Sequence, residues 1–360
     1  MTTATKTILV TGGAGFIGTN FIRLVLAQRP AWNIINLDAL TYAGNPMNFA
    51  DIPPGLAERY QFVHGDIRDK GLLDRLFNQN RLDGVVHFAA ESHVDRSILG
   101  PEAFVEANVL GTFRLLEAAL QMWRRTGRGG DFRFLHISTD EVYGSLGPQG
   151  LFSETTPYDP SSPYSASKAS SDHFVKAYFR TYGLPTIITN CSNNFGPYQF
   201  PEKLMPLMIL NAVEEKTLPV YGDGRNVRDW LYVVDHCEAL ITVFEKGLAG
   251  ETYNIGGQCE QQNIEVVQRL CDILDRRLGR KKADSSRKLI RFVQDRPGHD
   301  RRYAIDATKI KTELGWRPKH AFDEALQTTV DWYLNSMDWV TSVRSGEYQK
   351  WIEQNYGKRN

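Results

Sequence analysis

Thr7-Ile8-Leu9-Val10-Thr11-Gly12-Gly13-Ala14-Gly15-Phe16-Ile17-Gly18 decides the fold. The first five residues are an apolar run of strand length, glycines follow at once, and a helical pattern continues through Ala27. A strand that turns through glycines directly into a helix is the phosphate-cradling unit of a doubly wound α/β sheet. Gly12 serves the tight turn, Gly15 lets the backbone approach a pyrophosphate, and Gly18 lets helix pack on strand. Phe16 and Ile17 open the helix, whose N-terminal amides carry partial positive charge toward a phosphate. A plain glycine-rich turn would not need this order of elements.

The next strand, Asn33 to Leu37, ends in Asp38, twenty residues beyond Gly18. A carboxylate there accepts both hydroxyls of an adenosine ribose and repels a 2′-phosphate, so it selects NAD. The basic residues nearby in sequence, Arg23 and Arg29, lie on the preceding helix; the competing reading of Asp38 is a turn-capping aspartate. The alternation of strand and helix continues with Tyr60 to Ile67, where Asp66 ends a strand, and Gly84 to Ala90. Ala89 and Ala90 leave room for a ligand against the backbone, and Glu91, Ser92 and His93 then offer polar groups near the switch point. A helix predicted from Pro101 to about Arg125 is apolar on more than one face, as is the one beginning near Tyr164. Such breadth predicts a dimer through a four-helix contact.

The reactive groups gather from Phe132 to Lys168. A strand from Phe132 to Ile137 is followed by Ser138-Thr139-Asp140-Glu141, at the end where open α/β sheets bind ligands. Tyr164 and Lys168, four apart on a helix, share one face, so the ammonium is expected to lower the phenol and make Tyr164 a usable base. By itself that spacing is equally an amphipathic helix with one solvated lysine, and Asp140-Glu141 alone are equally a capping pair.

Composition sets the bounds. The 360 residues carry 42 basic and 42 acidic side chains with 42% hydrophobic content, an ordinary globular balance that gives no reason to expect nucleic acid as the main partner. Four cysteines, Cys191, Cys237, Cys259 and Cys271, have no metal-like spacing, so reduced thiols, no metal and a cytoplasmic home are expected. No leader pattern opens the chain, and no apolar run approaches the ~18 residues of a membrane span.

With these residues the chain resembles the nucleotide-sugar-modifying enzymes of the extended short-chain dehydrogenase/reductase family, and its 4,6-dehydratase branch in particular. The likeness rests on the glycine turn, Asp38-Ala39-Leu40-Thr41-Tyr42-Ala43-Gly44-Asn45, Ala89 to Ser97, Ser138 to Gly144, Pro163 to Ala169, Asn190 to Asn194, Arg228 to Val233 and Asp295 to Tyr303. It implies a Rossmann-type doubly wound parallel sheet with a smaller C-terminal mixed α/β substrate domain, divided as 1–190 and 191–360 with some later segments returning to the first. It also implies NAD as cofactor, held by Gly12, Gly15, Phe16, Ile17, Gly18 and Asp38, by Leu40, Thr41, Asp66 and Ile67, and by Ala89, Ala90, Ser92, Tyr164, Lys168 and Asn193. The implied reaction is dehydration of dTDP-glucose to its 4-keto-6-deoxy form, a deoxysugar precursor. Tyr164 takes the proton of the 4-hydroxyl, Glu141 the C5 proton, Asp140 protonates the departing 6-hydroxyl, and Thr139 donates to the sugar. Implied substrate contacts are Glu91, His93, Thr139, Asn194, Lys203 and Leu204, with Pro219, Tyr221, Arg228, Asn263, Asp295 and His299.

Two features depart from the family: a short stretch from Ser145 to Leu151, which leaves the site entrance open to question, and a polar segment from Gly279 to Lys288, read as a surface loop. The helical, aromatic stretch from Trp339 to Tyr356 is expected to dock rather than dangle. A 4-epimerase on the same fold would need Tyr164 and Lys168 but not Asp140 and Glu141, and a non-catalytic NAD-binding scaffold would need none of the four.

Overall fold

The apolar run after Lys6 forms β1 (Lys6–Thr11), fully buried from Ile8 onward, as a parallel strand covered on both faces must be. The computed structural model describes residues 5–127 and 132–344. β2 (Trp32–Asp38), β3 (Tyr60–His64), β4 (Gly84–His87), β5 (Arg133–Thr139) and β6 (Thr186–Cys191) follow, and then β7 (Asn193–Phe195), β8 (Leu218–Tyr221), β9 (Val227–Tyr232), β10 (Thr252–Ile255), β11 (Glu260–Gln262) and β12 (Ile290–Val293). Seven of these pair in parallel in the order β3-β2-β1-β4-β5-β6-β10. This is the Rossmann-type arrangement, and β10, far along the chain, returns to add an edge strand. Strand order reverses between β1 and β4, where Thr11 pairs with His87, so a crevice opens beyond their carboxyl ends.

Smaller sheets build the rest: β9 lies between β11 and β7, and β8 pairs with β12 in parallel. The helix Leu204–Val213 packs on Asn263–Arg277, which packs on Phe322–Asn335. The helix Val233–Lys246 packs on Phe16–Gln28 and so joins this region to the large sheet.

Three expected boundaries move. β3 stops at His64, so Asp66 sits in the turn beyond it, and β4 stops at His87, which leaves Phe88 to Ala90 free of strand pairing on the crevice side. The helix expected from Pro101 to Arg125 is three pieces, Glu102–Phe104, a π-helical Val105–Gly111 and Thr112–Arg125. The wider π turn carries Asn108, a buried side chain that accepts from the Glu91 amide at 2.8 Å and donates to Ser167 Oγ at 2.8 Å.

The segment from Gly279 to Lys288 is more ordered than a plain loop, with 3-10 turns Lys282–Asp284 and Ser286–Leu289 and a buried Ser286 whose amide donates to Asp275 at 2.9 Å. Of the expected C-terminal helix, Met337–Val343 is present and docked; residues 345–356 lie outside the described residues.

Candidate active site

A cleft of about 370 Å³ opens at the switch point. Gly12 has φ +72°, and a Cβ there would meet the Ala89 amide nitrogen at 2.5 Å, so only glycine lets the turn pass against the segment that follows β4. A Cβ on Gly18 would strike Gly12 O at 2.4 Å, whereas one on Gly15 would meet only Gly12 O, at 3.3 Å, and otherwise project into the cleft that a phosphate must enter. Asp38 ends β2 beside them. Its Oδ2 accepts from Ala14 N and its Oδ1 from Leu40 N, both at 2.8 Å, leaving each oxygen a further lone pair. Burial pushes this carboxyl up from its ordinary value, opposed by those amides.

These residues fit a dinucleotide with unphosphorylated ribose. Arg23 is held by Asp51 at 2.7 Å and Arg29 by Glu245 at 2.6 Å, so neither is free to meet a 2′-phosphate. Thr41, Asp66, Ile67, Ala89, Ala90, Ser92 and Asn193 line the same cleft; Leu40 does not, and acts through its amide on Asp38.

The reacting end lies where β5 stops. Thr139 caps a single 3-10 turn, Asp140–Tyr143, by accepting from Glu141 N at 3.3 Å, so the cap is the threonine and both acids are released from capping. Asp140 is 1% exposed, and its Oδ2 has no hydrogen-bond partner among the described residues. Burial, then Glu141, then Asp229 push the Asp140 carboxyl well above its ordinary value, which favours its protonated form. Glu141 is also raised by burial but faces Arg296, Lys203 and Arg228, which favour its anion. Two adjacent acids are thus split, one suited to giving a proton and the other to taking one.

Tyr164 and Lys168 stand on one face of the helix Pro163–Tyr182, started by a capping box between Ser162 and Ser165. The expectation that Lys168 lowers the phenol is reversed in this fold. Burial and then Glu141 hold Tyr164 well above its ordinary value, while Lys168 Nζ turns to the Ile137 carbonyl at 2.8 Å. Burial brings Lys168 itself down to about 8, opposed by Asp172. The Thr139 hydroxyl bonds the Tyr164 phenol and approaches Asp140 Oδ1 at 3.4 Å, linking the two proton-carrying groups.

The sequence-named substrate residues divide into two sets. Glu91, Thr139, Asn194 and Lys203 line the cleft, although Asn194 uses its amide on Ser192 O at 3.0 Å and His236 Nδ1 at 2.9 Å. His93 is buried with its Nε2 at 4.0 Å from Glu202, and Leu204 begins the helix after Lys203. A second set lies outside that lining and includes the buried Arg228, whose guanidinium lies 4.2 Å over the Tyr303 ring and donates to Asp300 O. It is not an ion pair with Asp229, which accepts instead from Gly257 N and Cys259 N. Tyr221 donates to Asp95 at 3.0 Å, and His299 bonds Asp295 at 2.6 Å. Pro219 lies in β8, and Asn263 begins its helix with a buried Oδ1 lacking a partner among the described residues.

Sequence reasoning passed over Arg296, which pairs with Asp95 at 3.3 Å and acts on Glu141, although it lies inside the quoted Asp295 to Tyr303 run. It also passed over Asp172, which takes Ser138 Oγ at 2.8 Å, Tyr158 OH at 2.9 Å and His136 at 3.1 Å. The repeat Tyr164, Lys168, Asp172 at every fourth residue was the available signal.

A family model described as GDP-mannose 4,6 dehydratase matches residues 9–329, and the chain belongs to that family. Within it, the chain is 57% identical to the dTDP-glucose 4,6-dehydratase of Shigella flexneri over 98% of its own length and 99% of the relative's. Among solved structures, DesIV, a dTDP-glucose 4,6-dehydratase from Streptomyces venezuelae with NAD and TYD bound, superposes with a TM-score of 0.83 at 49% identity, over 92% of this chain and 98% of that one. The UDP-glucose 4-epimerase of Thermotoga maritima shares the fold at a TM-score of 0.80 but only 28% identity, over 92% of this chain and 99% of that one.

Proposed function

We propose that the chain is an NAD-dependent dTDP-glucose 4,6-dehydratase, forming dTDP-4-keto-6-deoxyglucose as a deoxysugar precursor such as that of dTDP-rhamnose. The observation that carries the reading is the acid pair on the turn after β5: Asp140 buried with an unpartnered oxygen, Glu141 faced by three cations, and both beside Tyr164. A 4-epimerase only removes and returns a hydride at C4 and has no use for two further carboxyl groups.

When bound, NAD supplies the hydride acceptor for C4 and the hydride donor for C6. Tyr164 takes the proton of the 4-hydroxyl, oriented by the Thr139 hydroxyl that bonds it. The new ketone makes the C5 proton acidic, and Glu141 removes it while Asp140 gives its proton to the departing 6-hydroxyl, which leaves as water. Glu141 then returns its proton to C5 as hydride reaches C6. Arg228, Arg296 and Lys203 favour the Glu141 anion against burial and are the cations suited to an anionic diphosphate. In this reading residues 1–190, with later segments such as β10 returning to them, form the NAD-binding domain and 191–360 the nucleotide-sugar-binding domain.

The reading includes a homodimer and a cytoplasmic home. Apolar side chains that one sheet does not cover, Val105, Leu110, Phe113 and Phe174, are exposed along the helices expected to pair, and the Phe113 and Phe174 rings stand 6.0 Å apart across two of them. The four cysteines are free, and among the described residues no helix is long and apolar enough to cross a membrane. The deciding experiment is to incubate the protein with dTDP-glucose and weigh the product. Loss of one water is expected; a product of unchanged mass or no conversion overturns the reading.

A further inference from the structure

Two hydrogen bonds join the last described helix to the segment between β2 and β3 that borders the cofactor cleft. Trp339, in Met337–Val343, donates its indole Nε1–H to Asn48 Oδ1 at 2.6 Å, across 291 residues of chain. Asn48 is 1% exposed, and its amide nitrogen donates to Ala14 O at 2.9 Å and to Thr19 Oγ1 at 2.8 Å. Its own carbonyl accepts from Arg23 at 2.8 Å. Asn45 reinforces the link, its backbone N donating to Ala14 O at 3.1 Å and its side chain to Ser342 Oγ at 2.8 Å. Ala14 N donates to Asp38 Oδ2, and between Asp38 and Asn45 lie Thr41 to Gly44, which line the cleft.

We propose that Trp339 and Asn48 form a latch that positions the glycine turn and the Thr41 to Gly44 strap around the adenosine end of the dinucleotide, so that the cofactor is retained through turnover. The proposal rests on the reading of the cleft as a dinucleotide site. An Asn amide has one accepting and one donating end, and the indole can only donate. With Oδ1 fixed on Trp339, the amide nitrogen must face Ala14 and Thr19; a flip would break three bonds at once. The indole is itself held by edge contacts with Trp332 and Tyr198 at 5.0 and 5.9 Å. Retention matters because a cofactor reduced and reoxidised within one turnover must not exchange midway. Trp339 is therefore a positioning residue that acts through Asn48 and Ala14 on the pocket wall.

The test is Trp339→Phe in the full chain, which keeps an aromatic ring in place and removes only the N–H donor. NAD affinity is measured by titration calorimetry on cofactor-stripped protein, alongside NAD content after gel filtration. The NAD dissociation constant is expected to rise roughly tenfold, the scale of one buried acceptor left unpaired. Ser342→Ala is expected to raise it less, in the same direction. NAD content should fall on dilution, and excess NAD should restore the activity that dilution removes, while the cofactor-free melting temperature falls by less than the NAD-bound one. A dissociation constant within about twofold of the parent's in Trp339→Phe overturns the latch. So does a cofactor-free melting temperature that drops as far as the NAD-bound one, since the contact would then serve folding alone. A parent protein with no affinity for NAD overturns the dinucleotide reading and the latch together.

Discussion

Glu141→Gln separates oxidation from elimination. The amide keeps the size and hydrogen-bonding reach of the carboxylate but cannot accept the C5 proton, and a lost general base costs ~10²–10⁴-fold in rate. That is about 3–5 kcal/mol of transition-state stabilisation, charged to the elimination step only. The first step responds in the opposite sense. After burial, Glu141 is the largest influence holding the Tyr164 phenol up, so removing its charge favours the phenolate that takes the 4-hydroxyl proton. Arg296, Lys203 and Arg228 also lose the anion they face and remain available to a diphosphate, so substrate binding should not weaken. Mixed with dTDP-glucose in a stopped-flow instrument, Glu141→Gln should therefore build up reduced nicotinamide at least as fast as the parent and then stall. Mass analysis of the quenched sugar should show no loss of water on that timescale. A variant that dehydrates at the parent rate, or that accumulates no reduced cofactor, refutes this assignment of the C5 base.

Tyr164→Phe should block the first hydride transfer, leaving neither reduced nicotinamide absorbance nor dehydration, with a fall of ~10²-fold or more in single turnover. Asp38→Asn should weaken NAD binding about tenfold and narrow the preference for NAD over NADP, read by titrating both cofactors, because the amide can no longer accept from two hydroxyls or repel a 2′-phosphate. Asp140→Asn should slow elimination by ~10²-fold or more yet raise the melting temperature at neutral pH. The sign follows from burial, which raises the folded-state affinity of Asp140 for its proton. The parent therefore loses stability as pH rises from the ordinary carboxylate value through the raised one, and the advantage of Asn should grow over that window and vanish in acid; melting curves across pH that run parallel for the two proteins would contradict it.

The parts of the molecule legible in sequence are those in which neighbouring residues share one task. β1 and the glycine turn are a continuous apolar run followed by residues chosen for backbone freedom, and both effects are local. The turn after β5 was legible because three reactive residues in succession end a strand. The π segment was not, since one extra residue per turn leaves the apolar pattern of the helix nearly unchanged while it moves Asn108 against Glu91. The end of β3 was misread because Gly65 and Asp66 continue a run that looks extended, whereas pairing with β2 stops at the partner of Asp38, His64. Contacts such as Trp339 with Asn48, or Arg296 with Asp95, join segments whose spacing carries no periodic signal, and they depend on packing of the whole chain.

The raised proton affinity of Tyr164, which burial and Glu141 cause, bears on the proton count of the proposed cycle. Each turnover adds the 4-hydroxyl proton to Tyr164 and takes one from Asp140, while Glu141 borrows the C5 proton and gives it back. The product state thus holds a protonated Tyr164 beside an ionised Asp140, and the substrate state requires the reverse. Both groups are buried and both lie near Glu141, so the same environment penalises the phenolate and the carboxylate together. What decides the position of the proton is the difference between two penalties of the same origin, which is smaller than either one. The Thr139 hydroxyl touches both side chains, and a hydroxyl both accepts and donates, so it can pass a proton between them without either charge entering water. In the proposed cycle Thr139 thus serves the reset of the site between turnovers as well as the orientation of the sugar.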